Sequence, residues 1–413
     1  MSYNTTHFCM EVTSESNLNG CTTLLSILNA EHSSNRGIFQ YLTVEDATAL
    51  RTTCREAKTE VAKFAWTDPR PTKNFKKWCK CFPRAQVNLA KNKFLTNSDF
   101  RYFKHTPYLN VSYCNNITDE AFSYLTGIRV LTINGCNQLS DNAFKYFKGI
   151  HTLNMKYCSQ DTITDKAFSY LKGIYKLKMN HCNQSTITDK AFQYLKGIKH
   201  LNIRCCNKKI TDAAIANLVG IQALKMEWCD NFTSRVFKYL EGIQNLNISF
   251  WKNVYEEDFV YLKGIKKLKM NNCNTVTDNV FPYLVGIKYL DMTECTKITN
   301  KAFQYLTGIH TLVMENCNQD SITGEAFVHL RGIHSLNISR CEQPSFNDKV
   351  FENLKGICKL DMAECPLSGV TDKFFKSLKG IYHLSLTSDY LENVSKKMIR
   401  SLEKTVPEFF DTD

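Results

Sequence analysis

Among the groups in this chain that could do chemistry, the thiols stand out by their regular spacing. It has 413 residues and 18 cysteines. Eleven of these fall at one fixed place in a recurring unit: Cys114, Cys136, Cys158, Cys182, Cys206, Cys229, Cys273, Cys295, Cys317, Cys341 and Cys365. Thiolates can bind a metal and thiols can pair into disulfides. A zinc site brings its ligands in close pairs, whereas these come one per unit. Cys79-Lys80-Cys81 and Cys205-Cys206 are close pairs, but neither has a second pair in register, so no metal is assigned. Residues 1–30 lack the basic start and apolar run of a secretory signal. No apolar run of about 18 residues exists to span a membrane. The expectation is therefore a cytoplasmic protein (the nucleus being the alternative, and the host cytoplasm if the source is viral), where disulfides are rare. What remains is a structural role: a small, buried, weakly hydrogen-bonding side chain at a turn.

Other catalytic sets are absent from the sequence. There is no Gly-rich phosphate loop, no Gly-x-Ser-x-Gly and no His-Glu-x-x-His. Histidines such as His181 and His383 recur at repeat positions without partners in any motif. The chain is read as a non-enzyme with no cofactor.

The elements that position the cysteines are equally regular. Twelve glycines from Gly127 to Gly380, each 22 to 24 residues from the next, are each followed four places later by Leu, then by Ile or Met in all but the last copy, then by Cys except where Trp251 and Asp389 replace it. In Leu177-Lys178-Met179 apolar residues alternate with a polar one, which is the period of a half-buried strand. Next come Thr188-Asp189, an N-cap signal, and Ala191, Phe192 and Leu195 on one helical face. Gly197 then ends the helix where positive φ is needed. Self-similarity at this period means a solenoid, in which stacked units bury a core that no unit buries alone.

The unit resembles the cysteine-containing leucine-rich repeat, over roughly four fifths of the chain. That resemblance implies an α/β horseshoe, with parallel strands on the concave face and helices on the convex one. Val87-Asn88-Leu89 with Asn92, and Leu109-Asn110-Val111 with Cys114, add two copies to the twelve, making fourteen strands. The regular Asn- and Lys-rich repeat is also similar to families expanded in protists and giant DNA viruses.

Residues 1–36 are polar and read as a disordered arm. Residues 37–66 differ from the repeats: an apolar cluster precedes Ala47, Leu50, Cys54, Ala57 and Val61 at helical spacing. Ile38, Phe39, Tyr41 and Leu42, then Leu50 and Cys54, are similar to the F-box, although its usual Leu-Pro opening is absent and Ala57 stands where it has Trp. The resemblance implies that these six residues dock the adaptor subunit of a cullin–RING (SCF-type) ubiquitin ligase. The alternative is a helical cap that shields the first repeat. Residues 67–82 read as a linker and cap, 83–389 as repeats, and 390–413 as a closing helix and acidic tail.

A concave parallel sheet binds through its exposed positions, here taken as five, seven and eight residues after each glycine. These supply Lys156, Tyr157, Lys178, Arg204, Lys225, Trp228 and Phe250, with Lys269 just beyond, and then Glu294, Glu315, Arg340 and Glu364. The face thus divides into a basic, aromatic half and an acidic half. Exposed aromatics beside Arg are typical of interface hot spots; the competing reading is that Trp228, Phe250 and Trp251 patch an irregular core. Net charge is +12, but lysines such as Lys172 and Lys196 ring the outer helices as a solvated face, so nucleic acid is the lesser reading. The expectation is a protein-binding module that selects a target protein for the ligase, monomeric outside that complex; the runner-up is a repeat scaffold with no ligase link.

Overall fold

The structure, a computed structural model, describes residues 44–53, 58–59, 61–62 and 71–412. The expectations for the arm at 1–36 and for Ile38, Phe39, Tyr41, Leu42 and Cys54 lie outside these residues. Two compact units divide at Leu131.

Among the described residues the first unit holds the α-helices α1 (Val44–Thr53) and α2 (Phe75–Cys81) and the strands β1 (Val87–Asn88) and β2 (Tyr108–Asn110). Ala47 and Val61 are buried with Phe82 and Ala85, and Leu50, Trp78 and Cys81 pack against that cluster. The Trp78 indole donates to the Gln86 carbonyl at 3.2 Å, and Phe75 meets Phe103 at a centroid distance of 5.5 Å. The segment before the repeats thus supplies an apolar face that caps them, as solenoid ends require. β1 and β2 pair in parallel, Val87 with Leu109.

β3 (Val130–Thr132) falls where the units divide. The second unit continues with β4 (Thr152–Asn154), β5 (Lys176–Lys178), β6 (His200–Asn202), β7 (Ala223–Lys225), β8 (Asn245–Asn247) and β9 (Lys267–Lys269). Then come β10 (Tyr289–Asp291), β11 (Thr311–Val313), β12 (Ser335–Asn337), β13 (Lys359–Asp361), β14 (His383–Leu386) and β15 (Glu408–Asp411). From β4 onward each strand pairs in parallel with the next, leucine beside leucine as far as β14: Leu153 with Leu177, Leu177 with Leu201. Such leucines are buried, each stabilising by about 1.5–3 kcal/mol.

The outer segments are shorter than true helices. In one repeat a single α-turn, Asp165–Phe168, runs into a 3₁₀ turn, Ser169–Leu171. Three residues per turn place Phe168 and Leu171 on one side, where both are buried. Lys172 at φ −53 and ψ 128, Gly173 at φ 80, and the Ile174 N–H donating to Leu171 at 3.0 Å form a type II turn. The repeat glycine is therefore a turn residue after the helix. Neighbouring repeats are tied through the helix cap. Asp165 accepts the backbone N–H and the hydroxyl of Thr188, both at 2.7 Å, while the Thr188 oxygen caps its own helix at Lys190.

Two expectations need correction at the end of the chain. The closing helix spans Lys396–Thr405 with Ser395 as its cap, starting several residues after position 390. The tail after Pro407 is a fifteenth strand, not a free end: Leu384 pairs with Phe409, and the His383 ring meets Phe410 at 5.3 Å. Pro407 stops the helix, and the apolar pair that follows covers the otherwise open edge of β14.

Candidate binding face

The repeat cysteines are mostly buried, and their thiols donate inward. Cys158 reaches the Ile133 carbonyl at 3.2 Å and Cys182 the Met155 carbonyl at 3.1 Å. Burial pushes the Cys158 thiol up to about 11 and those of Cys273 and Cys295 to about 12, so they stay protonated at neutral pH. Trp251 stands in the cysteine's place, 1% exposed, and its indole N–H reaches Met226 at 2.7 Å. It belongs to the core. Among the described residues no three His, Cys, Asp or Glu side chains form a group able to hold a metal.

The solvent side of the strands is different. On a strand, residues three and five places after the glycine share one face. The eighth residue has a special backbone. Ten such residues, from Tyr157 through His181, Trp228, Phe250 and Arg340 to Glu364, lie at φ between 52 and 68. Each such left-handed residue costs about 1–2 kcal/mol. The conformation aims the N–H at the following repeat: Trp228 donates to Ser249 at 3.2 Å and Phe250 to Asn271 at 2.8 Å. It also turns the side chains into a row along the edge of the strand face. Gly135, Asn272 and Asn316 share this position, and Gly and Asn are the residues that tolerate it best; that was the signal available in the sequence.

Along this row Tyr157 stacks on His181 with centroids 4.8 Å apart, and Trp228 on Phe250 at 3.8 Å and 15°. Trp228 is 51% exposed and Tyr157 47%. Trp228 therefore lies at the surface with Phe250 half-buried against it, unlike Trp251. Lys156, Lys178 and Lys225 come together with Lys176 and His200 around a hollow of about 320 Å³. Lys176 and His200, at the third position, were missed because only the fifth, seventh and eighth were counted. Burial, and then Lys176, Lys156 and Lys225, hold the Lys178 ammonium below the usual lysine range. Burial and then Arg204 and Lys156 likewise lower His181.

Other expected residues lie on the same side but not in the hollow. Lys269 turns to Asp291 at 3.0 Å. Burial works against its charge, but the Asp291 carboxylate outweighs that and raises it. Arg340 bridges Glu315 at 3.3 Å and Glu364 at 3.0 Å, and Glu294 accepts from Asn272 at 2.6 Å. Burial raises Glu315, partly opposed by Arg340. The acidic half thus carries its own cations, whereas the lysines of the hollow make no ion pair among the described residues.

In the first unit Leu50, the one expected adaptor residue that is described, packs against the chain's own apolar cluster. Beside it Arg51, Lys58, Lys80, Arg84 and Arg129 line a cavity of about 850 Å³.

Stacked parallel strands with rows of outward side chains define the class, a leucine-rich-repeat solenoid built as a protein-interaction scaffold. The chain belongs to the BspA-type leucine-rich repeat family, whose repeat region matches residues 94–222, 186–310, 230–358 and 296–404. No curated protein matches it. Among solved structures it is similar to the Rad7–Elc1 complex of yeast, at 17% identity and TM-score 0.50, covering 94% of this chain and 96% of that one. It is also similar to a leucine-rich-repeat protein of Leptospira interrogans, at 14% identity and TM-score 0.54 over 84% and 100%. An internalin of Listeria monocytogenes gives 18% identity and TM-score 0.54 over 75% and 88%. Among the described residues no helix is long and apolar enough to cross a membrane.

Proposed function

We propose that this protein is a target receptor: the strand face of residues 132–413 selects a protein, and residues 37–66 dock the adaptor of a cullin–RING ubiquitin ligase in the cytoplasm. It does no chemistry itself and acts by raising the target's effective concentration near the ligase. The observation that carries target binding is the Trp228–Phe250 stack, with Trp228 exposed, on the same side of the strands as the lysine hollow. Rigid, solvent-facing aromatics bury large area at low entropy cost and act as interface anchors. The ligase link rests on the F-box resemblance of residues 37–66; the yeast neighbour is itself a complex of two proteins, Rad7 and Elc1.

Affinity capture from cytosol tests both halves. Trp228→Ala with Phe250→Ala is expected to lose the target while keeping adaptor and cullin. Phe39→Ala with Leu42→Ala is expected to lose adaptor and cullin while keeping the target. Absence of adaptor and cullin from every preparation leaves a binding scaffold with no ligase connection. Targets retained by the Trp228/Phe250 variant remove the strand face as the binding site.

A further inference from the structure

The lysine hollow is built differently from the rest of the face. Lys176 and Lys178 stand on β5, Lys225 stands on β7, and Lys156 follows β4; His200 and Asn202 of β6 lie between them. β5 and β7 are two strand spacings, about 10 Å, apart, and like charges gathered on one face at that range repel. Elsewhere on the same face charges are paired: Lys269 with Asp291, and Glu315 and Glu364 with Arg340. The four ammonium groups around the hollow have no carboxylate partner among the described residues, and no acidic side chain lines it. Burial and mutual repulsion already disfavour the charge on Lys178. An arrangement of this kind is completed by a ligand that brings several negative charges to one point.

We propose that the hollow formed by Lys156, Lys176, Lys178 and Lys225 binds a phosphate monoester carried on a side chain of the target protein. This deepens the target-receptor reading and rests on it. A phosphorylated side chain carries about −1.5 to −2 charges and three strong acceptor oxygens, which suits several ammonium donors converging on one place. A carboxylate offers one charge and two oxygens. The hollow, at about 320 Å³, is open enough for one such group and its stem. Tyr157, His181 and Trp228 stand on the repeats that supply the lysines, in the stacks Tyr157–His181 and Trp228–Phe250, and offer apolar footing to the segment that carries the phosphate. An extended polyanion fits less well, because the face turns acidic from Asp291 onward through Glu294, Glu315, Asp361 and Glu364, where a nucleic acid backbone would be repelled.

The test is fluorescence anisotropy of the full chain with three labelled probes. These are nine-residue degenerate peptides centred on phosphoserine, the same peptides centred on serine, and a nine-residue thymidine oligonucleotide. The phosphoserine peptides are expected to bind about tenfold or more tightly than the serine peptides. Lys178→Gln with Lys225→Gln is expected to abolish the difference, and Lys196→Gln, on the outer side, to keep it. The double variant removes repulsion, so its thermal midpoint is expected to stay level or rise, which separates lost binding from lost folding. Equal binding of the two peptide sets, or a preference that survives the double variant, overturns the proposal. If the Trp228/Phe250 variant still loses captured proteins, the target-receptor reading stands without the phosphate. Tighter binding of the oligonucleotide through the same lysines overturns it in favour of nucleic acid.

Discussion

The indole N–H of Trp251 donates to the carbonyl oxygen of Met226 at 2.7 Å, on the repeat before it. In regular repeats a cysteine thiol makes the equivalent bond, as Cys273 does to Ile248 at 3.4 Å. A residue several times larger fills the same place in the bonding scheme, and Phe232 and Phe237 lie along its ring at 5.8 and 6.3 Å. Truncating Trp251 to Ala is therefore expected to destabilise by about 3–5 kcal/mol. Trp251→Cys, although it restores the usual residue, is expected to recover little, because the neighbouring rings are shaped around an indole. Urea denaturation of both variants decides; a Trp251→Cys protein as stable as the parent refutes this account.

The Asp165–Thr188 tie joins the outer sides of successive repeats through two hydrogen bonds to one carboxylate. Asp165→Ala strands the Thr188 N–H at a half-buried site and is expected to destabilise by about 1–3 kcal/mol. Asn300 occupies the same place in a later repeat and accepts from the Thr323 N–H at 2.8 Å. Asp165→Asn should therefore be distinctly milder. Equal losses in the two variants, measured by denaturation, would mean the tie contributes only through charge.

Stability should fall at high pH. Burial raises Cys158 from 9.0 to about 11 and Cys273 to about 12. A thiol that holds its proton longer when folded favours the folded state below pH 9, and that advantage is lost as pH rises from 9 toward 12. The denaturation midpoint is expected to drop across this window, and more shallowly in Cys158→Ala with Cys273→Ala. Identical slopes would assign the drop to other groups.

Two glycines separate backbone strain from crowding. Gly173 sits at φ 80 with nothing within 4 Å of an added Cβ, so Gly173→Ala is expected to cost about 1–2 kcal/mol from conformation alone. At Gly369 an added Cβ would lie 2.7 Å from the Asn347 Cβ and 2.9 Å from the Phe346 carbonyl oxygen. Gly369→Ala must push apart the bridge between Asn347 and Gly369 and is expected to lower the melting temperature more than Gly173→Ala. The reverse order would show that the strand edge there is free to move.

The sequence by itself determined the solenoid. Its 22- to 24-residue period, the leucine four places after each glycine and the turn glycine are local signals, and stacking identical units leaves one way to bury them. It also placed Lys178 and Lys225 on the solvent side, because strand alternation is a property of the chain alone. Only the tertiary structure decided which of these residues meet. Lys176 joins Lys178 and Lys225, while Lys269 leaves for Asp291 and Arg340 for two glutamates. It also sent Trp251 into the core and its neighbour Phe250 onto Trp228. Those outcomes depend on distances between side chains one or two repeats apart and on the left-handed backbone at Phe250. Repeat spacing carries neither.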